Sequence, residues 1–588
     1  MEKQESAYYL FFKQYRIYIL IFLGTLLLAL TVMNPQILIT DEWITANQLA
    51  QLGHGHQVIV NEGKYGVFEN GTINNYFKAK NNLLGYSIFL PAISLPALKI
   101  IETLGISFSY ILVAISAILL IVMALIVDLF FPEWSVFRNY HSTAGVIIAA
   151  FLFFFLRLIF LIPVLVSESR AKPEVYAIVV TYVLLYALIA VLIYAIVAMI
   201  SDDPWFRILG TIICLSGSSY LIWMSCAKDH LLTAFLFIAI LYTTVKFHHT
   251  KDSWYFPCTC ILTGLLAWTR PELALPLLVA VIIYYWRSTL SQTWKTGNTK
   301  KFIFFVISPM FTLIGALPFF INNYYVTGNP LLPTWFIWPS LTKSATAIAP
   351  AAGMTDSVIQ KIMGVMLPAG PIHLDTFFGS LYGIVLNPQN GSVGLLVVVP
   401  FFLTAFLLTV YGIFLKKTWM ADLDREVLII MVLFAGAAFL AYFTQIASMN
   451  TSLGIVPDIR YLSTMYVPLN IIGLLLLKKS GFFEKGVKEI VKISVVFSGV
   501  CIPIILICLK LFYPIGVGYT YDLFTLYNNI MSILTYVFIL IFFILYFITE
   551  NNNRFKSIRC IFLAIIITMP FLWQIGITYI MGLRLIVS

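Results

Sequence analysis

Asp41 and Glu42 stand side by side after a run, Ile17 to Thr40, that carries no charge. Adjacent carboxylates are expensive to hold near hydrocarbon. A carboxylate is also a side chain that can take the proton of an attacking hydroxyl or amide. Two readings stand for this pair: acid–base chemistry on a substrate at the membrane surface, or capping of a helix that starts near Ile44.

Four more patches carry groups of the same kind. In Tyr76-Phe77-Lys78-Ala79-Lys80, Lys78 and Lys80 could hold a phosphate as point charges, or simply attract anionic headgroups. The segment Ser167-Glu168-Ser169-Arg170-Ala171-Lys172-Pro173-Glu174 mixes both signs. Glu168 and Glu174 there read either as a second acidic site, able to hold a divalent metal beside a phosphate, or as part of a solvated turn. Ala227-Lys228-Asp229-His230 offers acid–base or ligand groups, with helix capping by Asp229 as the alternative. Arginines follow at two helix boundaries, in Trp268-Thr269-Arg270-Pro271-Glu272 and Pro457-Asp458-Ile459-Arg460-Tyr461. A guanidinium beside an aromatic ring at the interface suits a lipid-linked phosphate; snorkelling and a local Asp458–Arg460 pair are the plainer alternative.

The elements that must position these groups are membrane helices. The 588 residues are 61% hydrophobic and only 11% charged, with a mean hydropathy of +0.94. That balance is polytopic, not soluble. Apolar runs fall near 17–38, 106–131, 143–166, 175–200, 206–225, 230–246, 256–269, 271–286, 302–321, 393–415, 427–448, 461–477, 490–512, 529–549 and 560–582. The expected fold is all-α, with about 13–16 transmembrane helices of roughly 20 residues each. No small-residue cleavage site follows the first run, so it is expected to stay as the first helix.

The run from Leu83 to Ile101, broken by Pro91 and Pro96, decides the topology. If it does not span, the clusters around Lys300/Lys301, Lys416/Lys417, Lys478/Lys479 and Arg554/Lys556 share the side of the amino terminus with Lys3, Lys13 and Arg16. If it spans, they oppose it. The positive-inside rule favours the first arrangement, which makes 83–101 an interfacial helix of the first outer loop and the amino terminus cytoplasmic. The large outer loops are then 39–105 and 322–392, and the sequons at Asn70, Asn390 and Asn450 lie outside. The net charge of +10 follows from these short basic loops and does not point to nucleic acid. Arg157 and Asp128 are the main charges at depth, fewer than an ion-coupled carrier needs. Cys258-Thr259-Cys260 lacks a second ligand pair for a metal site, and the seven cysteines imply no disulfide framework.

The order of these pieces resembles the GT-C superfamily of integral-membrane glycosyltransferases, family 39 type, which includes protein O-mannosyltransferases and lipid A aminoarabinose transferases. Asp41-Glu42 with Ala46, Leu49, Ala50 and Gly53 looks like the acidic motif of the first outer loop. Phe77-Lys78 through Tyr86 looks like the Lys-containing segment, without its usual Lys-Pro-Pro. Gly264 through Glu272 and Asp458-Ile459-Arg460-Tyr461-Leu462 with Pro468 resemble later signatures, and Asn322–Pro330 and Gly379–Pro400 fit microbial members. The likeness spans about residues 15–480, implying a catalytic module over 1–480 and added C-terminal helices over 481–588.

The resemblance implies inverting transfer of a sugar from a polyprenyl- or dolichyl-phosphate donor to a lipid, glycan or protein acceptor outside the cell membrane. By the same resemblance Asp41 is the base and Glu42 orients it or binds acceptor. Lys78, Lys80, Arg270 and Arg460 with Tyr461 bind the donor phosphate. Glu168, Glu174 or Asp229 is a second acid, and a divalent metal is left open. Two other classes compete. A lipid-linked glycan flippase or transporter would line a central cavity with charge. An O-antigen ligase-type enzyme would carry an outer loop rich in Arg and His, whereas 322–392 has no Arg and only His373.

Overall fold

The computed structural model describes residues 7–35, 42–58, 83, 85–105, 107–130, 172–290, 297–334, 374–386, 392–414, 424–448, 458, 460–478, 486–512, 520–549 and 556–583. Asp41, Lys78, Lys80, Arg157, Glu168 and the three sequons lie outside them. Among the described residues every regular element is a helix, apart from an isolated bridge between Val393 and Asp458.

In chain order the helices are α1 (Ala7–Val32), α2 (Glu42–Gly53), α3 (Phe89–Leu104), α4 (Ser107–Phe130), α5 (Pro173–Ile200), α6 (Pro204–Ser216), α7 (Tyr220–Met224), α8 (His230–Thr250), α9 (Tyr255–Thr269) and α10 (Pro271–Tyr285). They continue as α11 (Thr299–Ile307), α12 (Phe311–Thr327), α13 (Leu374–Val385), α14 (Leu395–Val398), α15 (Pro400–Phe414), α16 (Arg425–Ser448), α17 (Tyr466–Lys478), α18 (Val487–Phe512), α19 (Thr520–Thr549) and α20 (Lys556–Leu583). Eleven helical stretches among the described residues are long and apolar enough to cross a membrane, and α6, α9 and α15 are shorter apolar helices. The chain is thus a polytopic all-α membrane protein.

The run 83–101 is helical only from Phe89 and continues to Leu104 as the 16-residue helix α3, which is not among the candidate spans. Leu90, Ser94, Leu98 and Ile101 are buried on one stripe, while Lys99, Glu102 and Leu104 are exposed. That spacing makes an amphipathic helix, and α3 lays its buried face on α2 and α5.

The run 206–225 departs from the single span expected of it. It breaks at Gly217 into α6 and the five-residue α7. A broken helix inside a bundle leaves backbone groups that other helices must satisfy. Asn470 Nδ2 donates to Gly217 O at 2.8 Å, and Gln574 Nε2 to Ser216 O at 2.9 Å. Gln574 Oε1 accepts the Leu221 N–H at 3.0 Å. Similarly, 302–321 is split by a 3₁₀ turn at Ser308–Met310 into α11 and α12.

The tightest helix crossing is between α9 and α12. A Cβ on Gly264 would lie 2.1 Å from Thr312 O, and one on Gly315 would lie 1.9 Å from Ile261 O. Only glycine permits backbones this close, the small-residue contact of membrane helices. Among the described residues the main apolar core runs from α1 to α20, with Trp223, Tyr182, Tyr466 and Trp573 fully buried, and Leu83 with Val326 forms a small separate cluster.

Candidate functional site

The polar groups that the sequence scatters meet at one end of the bundle. They lie where α5, α8 and α10 begin and where α9 ends. Each helix boundary has a local cause. Pro173 and Pro271 occupy the first position of α5 and α10, where the missing N–H is no loss. Arg270, trapped between the end of α9 and Pro271, has φ −142 and ψ 79, the extended conformation favoured before proline. The α9–α10 corner therefore projects Arg270 sideways rather than along a helix.

Arg270 Nη2 meets Asp229 Oδ1 at 2.6 Å, and its Nη1 lies 3.5 Å from Glu272 Oε1. Asp229 occupies the N-cap position of α8 but makes no side-chain cap bond; its carboxylate is used by Arg270 instead. Burial, the largest single influence, would lower the Arg270 pKa, but Asp229, Tyr442, Glu272 and Tyr461 together outweigh it and hold the guanidinium above its ordinary value. Charge-assisted bonds of this kind are the strong ones.

Tyr461 is the centre of the cluster. The Arg270 guanidinium carbon lies 5.3 Å from its ring and that of Arg460 lies 5.2 Å away, both within cation–π range. His230 meets the same ring edge-on at 5.7 Å and packs on Trp223 at 4.6 Å. Tyr442 completes the surround at 5.4 Å. Arg460 itself is buried, in a 3₁₀ turn, Arg460–Met465, that leads into α17.

Asp458 is also buried, held by Trp223 Nε1 at 3.1 Å and the Tyr466 hydroxyl at 2.6 Å. Burial pushes its carboxyl above the ordinary aspartate value, against the pull of those hydrogen bonds and of Arg460. The expected local pairing of Asp458 with Arg460 is thus recast: the carboxylate oxygens go to an indole and a phenol.

Glu42 opens α2 and is fully buried. Its carboxylate accepts the Ala227 N–H at 2.7 Å, so it ties the first turn of α2 to the linker between α7 and α8. That linker is further pinned by the Tyr182 hydroxyl on Lys228 O and by the Asn34 N–H on Ser225 Oγ at 3.3 Å. The Lys228 ammonium, buried, faces the Tyr86 ring at 5.8 Å. Glu174 is buried in the first turn of α5, upstream of Tyr182 on the same helix.

Of the expected site residues, the structure therefore gathers Glu42, Asp229, Arg270, Arg460 and Tyr461, and buries Glu174 on the same end of α5. Sequence reading passed over three participants. Lys228 was overlooked beside Asp229, Glu272 was treated only as the end of a motif, and Trp223 lay inside an apparent span. The signal for Lys228 was its place beside Asp229 in a short junction between two apolar runs. Among the described residues no three His, Cys, Asp or Glu side chains come together in a metal-ligating group.

The opposite end is basic. Lys478 reaches Ile200 O at the end of α5, and Lys488 faces the Trp205 ring at 5.3 Å. Arg287, after α10, pairs with Glu426 at the start of α16 at 2.9 Å. The two ends of the bundle are chemically distinct.

No family model matches this sequence, and no curated protein matches it. Among solved structures the chain is similar to the crystal structure of ArnT from Cupriavidus metallidurans bound to undecaprenyl phosphate. Identity is 10% and the TM-score 0.47, over 97% of this chain and 78% of that one.

Proposed function

We propose that this chain is a membrane glycosyltransferase that moves a sugar from a polyprenyl- or dolichyl-phosphate donor to an acceptor on the extracytoplasmic side, with inversion. The observation that carries the reading is the pairing of Arg270 and Arg460 on the Tyr461 ring, with Lys228 in the neighbouring linker. Cations gathered at the end of a membrane helix bundle suit an anion whose tail lies in lipid. In the reaction a base takes the acceptor proton, the acceptor oxygen or nitrogen bonds to the sugar C1, and the C1–O bond to the lipid phosphate breaks. Arg270 and Arg460, with Lys78 and Lys80, stabilise the charge that collects on the departing phosphate. Asp41, next to Glu42, is the base in this reading. Glu42 fixes the start of α2, and Asp229 sets the position of Arg270. Glu168 and Glu174 remain the other candidate acids.

The basic end, with Arg287, Lys478 and Lys488, is the cytoplasmic one by the positive-inside rule, and the amino terminus shares that side. A reporter fused near Lys300 is expected to read cytoplasmic; an external reading would reverse the sidedness of the cluster.

The decisive test is Asp41→Asn in a strain whose glycolipids and glycoproteins are followed by mass spectrometry. Deletion of the gene should remove one sugar from one acceptor, and the variant should fail to restore it while inserting normally. Full restoration by the variant would remove Asp41 from the base role. An unchanged glycan profile on deletion, under conditions where the gene is expressed, would favour transport.

A further inference from the structure

An apolar cleft of about 160 Å³ opens between α9, α10 and α11. Its walls come from Phe256, Tyr285, Trp286, Phe305, Val306 and Pro309. Two departures from α geometry shape it. The chain leaves α10 through a π turn, Trp286–Leu290, and α11 ends in the 3₁₀ turn that contains Pro309. Such departures are often kept at functional sites. The inner wall is stiff. Phe256 stacks on Tyr285 at 4.0 Å and on Phe305 at 5.6 Å, and the Tyr285 hydroxyl lies 3.3 Å from Thr259 Oγ1. Rings held in this way do not swing in to fill the space, so the cleft is preformed.

The cleft lies at the basic end of the bundle. Helix α10 begins at the Arg270 corner and carries Tyr285 and Trp286 to the opposite end, where α9 and α11 begin. Lys300 and Lys301 stand in the first turn of α11. Lys301 precedes Phe305 by four residues, which places it on the same stripe of the helix, one turn nearer the surface. Lys300 is exposed and Lys301 half-buried. Among the described residues neither meets a carboxylate, and Glu426 at this end is already paired with Arg287. Trp254 and Trp286 are 65% and 62% exposed, as indoles are where hydrocarbon gives way to headgroups.

An apolar slot beneath two uncovered lysines fits a molecule with a hydrocarbon chain and an anionic head. Its volume is below the roughly 300–1,000 Å³ of pockets for drug-sized ligands, so it takes a stretch of one chain while the head stays at the surface. Lysines act as point charges and suit a singly charged phosphodiester. We propose that the cleft binds an anionic glycerophospholipid of the leaflet at the basic end, with one acyl chain against Phe256 and Phe305 and the phosphate on Lys300 and Lys301. This site is at the far end of the bundle from the Arg270–Tyr461 cluster and does not depend on the glycosyltransferase reading.

The experiment uses the full-length protein purified in detergent, with lipids added singly and binding read by native mass spectrometry. The probes are phosphatidylglycerol and phosphatidylcholine with the same acyl chains, and undecaprenyl phosphate. The wild type should bind phosphatidylglycerol more tightly than phosphatidylcholine. Lys300→Gln with Lys301→Gln should lower phosphatidylglycerol affinity by about fivefold for each lysine and leave phosphatidylcholine unchanged. Val306→Trp, at a position 51% exposed on the rim, should weaken both phospholipids by filling the slot. Lys488→Gln with Lys492→Gln removes two exposed lysines from α18, which packs on α6 and α20 away from the cleft, and should leave the preference intact. Equal loss in the two lysine pairs would mean diffuse attraction only and overturns the proposal. So does a wild type without headgroup preference, or a Val306→Trp variant that binds both phospholipids normally. Tighter binding of undecaprenyl phosphate than of phosphatidylglycerol, lost in the same variants, would give the cleft to a lipid carrier and overturn its assignment to a phospholipid.

Discussion

Asp229 and Arg270 are 41 residues apart in sequence and 2.6 Å apart in space. The contact joins the start of α8 to the corner between α9 and α10, and it aims a guanidinium at the Tyr461 ring. Removing either partner should be felt in two ways. Arg270→Ala is expected to lower affinity for undecaprenyl phosphate by at least about tenfold, the loss of a charge-assisted hydrogen bond. Asp229→Asn should weaken binding less, by letting the guanidinium drift. A double-mutant cycle on thermal stability should return a coupling of about 1–3 kcal/mol; additivity would mean the pair is not formed.

Asp458 predicts a pH dependence of stability. Its carboxyl is raised above the ordinary aspartate value of about 3.9, chiefly by burial. The native state therefore holds a proton that the unfolded chain has released. This contribution is fully present below the unfolded value and is lost as pH rises through the native one. The melting temperature of the wild type in detergent should fall across that window. Asp458→Asn, which cannot ionise, should not show that component, and the gap between the two curves should change with pH.

The α9–α12 crossing should tolerate no side chain. Gly315→Val places carbon where the Ile261 carbonyl already sits, and overpacking of this sort costs about 1–3 kcal/mol or more. Reduced yield of folded protein in detergent-solubilised membranes is the expected result, together with lower activity, because α9 ends at Arg270. Gly436, whose Cβ would meet nothing within 4 Å, supplies the control: Gly436→Ala should insert and melt like the wild type.

Gln574 is expected to be among the most sensitive polar positions far from the site. Gln574→Leu strands the Leu221 N–H and the Ser216 carbonyl together. Each orphan costs about 1–3 kcal/mol. A lowered melting temperature should accompany altered tryptophan fluorescence, since Trp223 rides on the same short helix.

Much of the fold was legible because hydrocarbon imposes a simple pattern. Long uncharged runs predict α4, α5, α8 and α16 nearly at their observed bounds, whereas α1 starts ten residues before the expected 17 and ends at Val32, because the charged Lys13 and Arg16 are carried inside the helix. The helix break at Arg270–Pro271 was visible because proline cannot continue the hydrogen-bond ladder. The break at Gly217 was not, because Gly217-Ser218-Ser219 barely lowers the hydropathy of 206–225 and its stabilising partners, Asn470 and Gln574, lie more than two hundred residues downstream. Within the site, residue types were readable and partners were not. Asp229 read equally well as a cap until its carboxylate was seen on Arg270.

The Gln574 contacts have a consequence for how the protein is made. Helix α20 leaves the ribosome after the other nineteen described helices, yet it supplies the partners of a helix break in the middle of the chain. Until it inserts, the α6–α7 junction has unsatisfied backbone groups at Ser216 and Leu221. The α7–α8 linker, which holds Ala227 against Glu42 and carries Asp229 to Arg270, hangs from that junction. A nascent chain stopped before α20 would thus carry the residues of the candidate site without the scaffold that sets them. Such chains are natural targets for membrane quality-control proteases, so termination before α20 should leave little protein to detect.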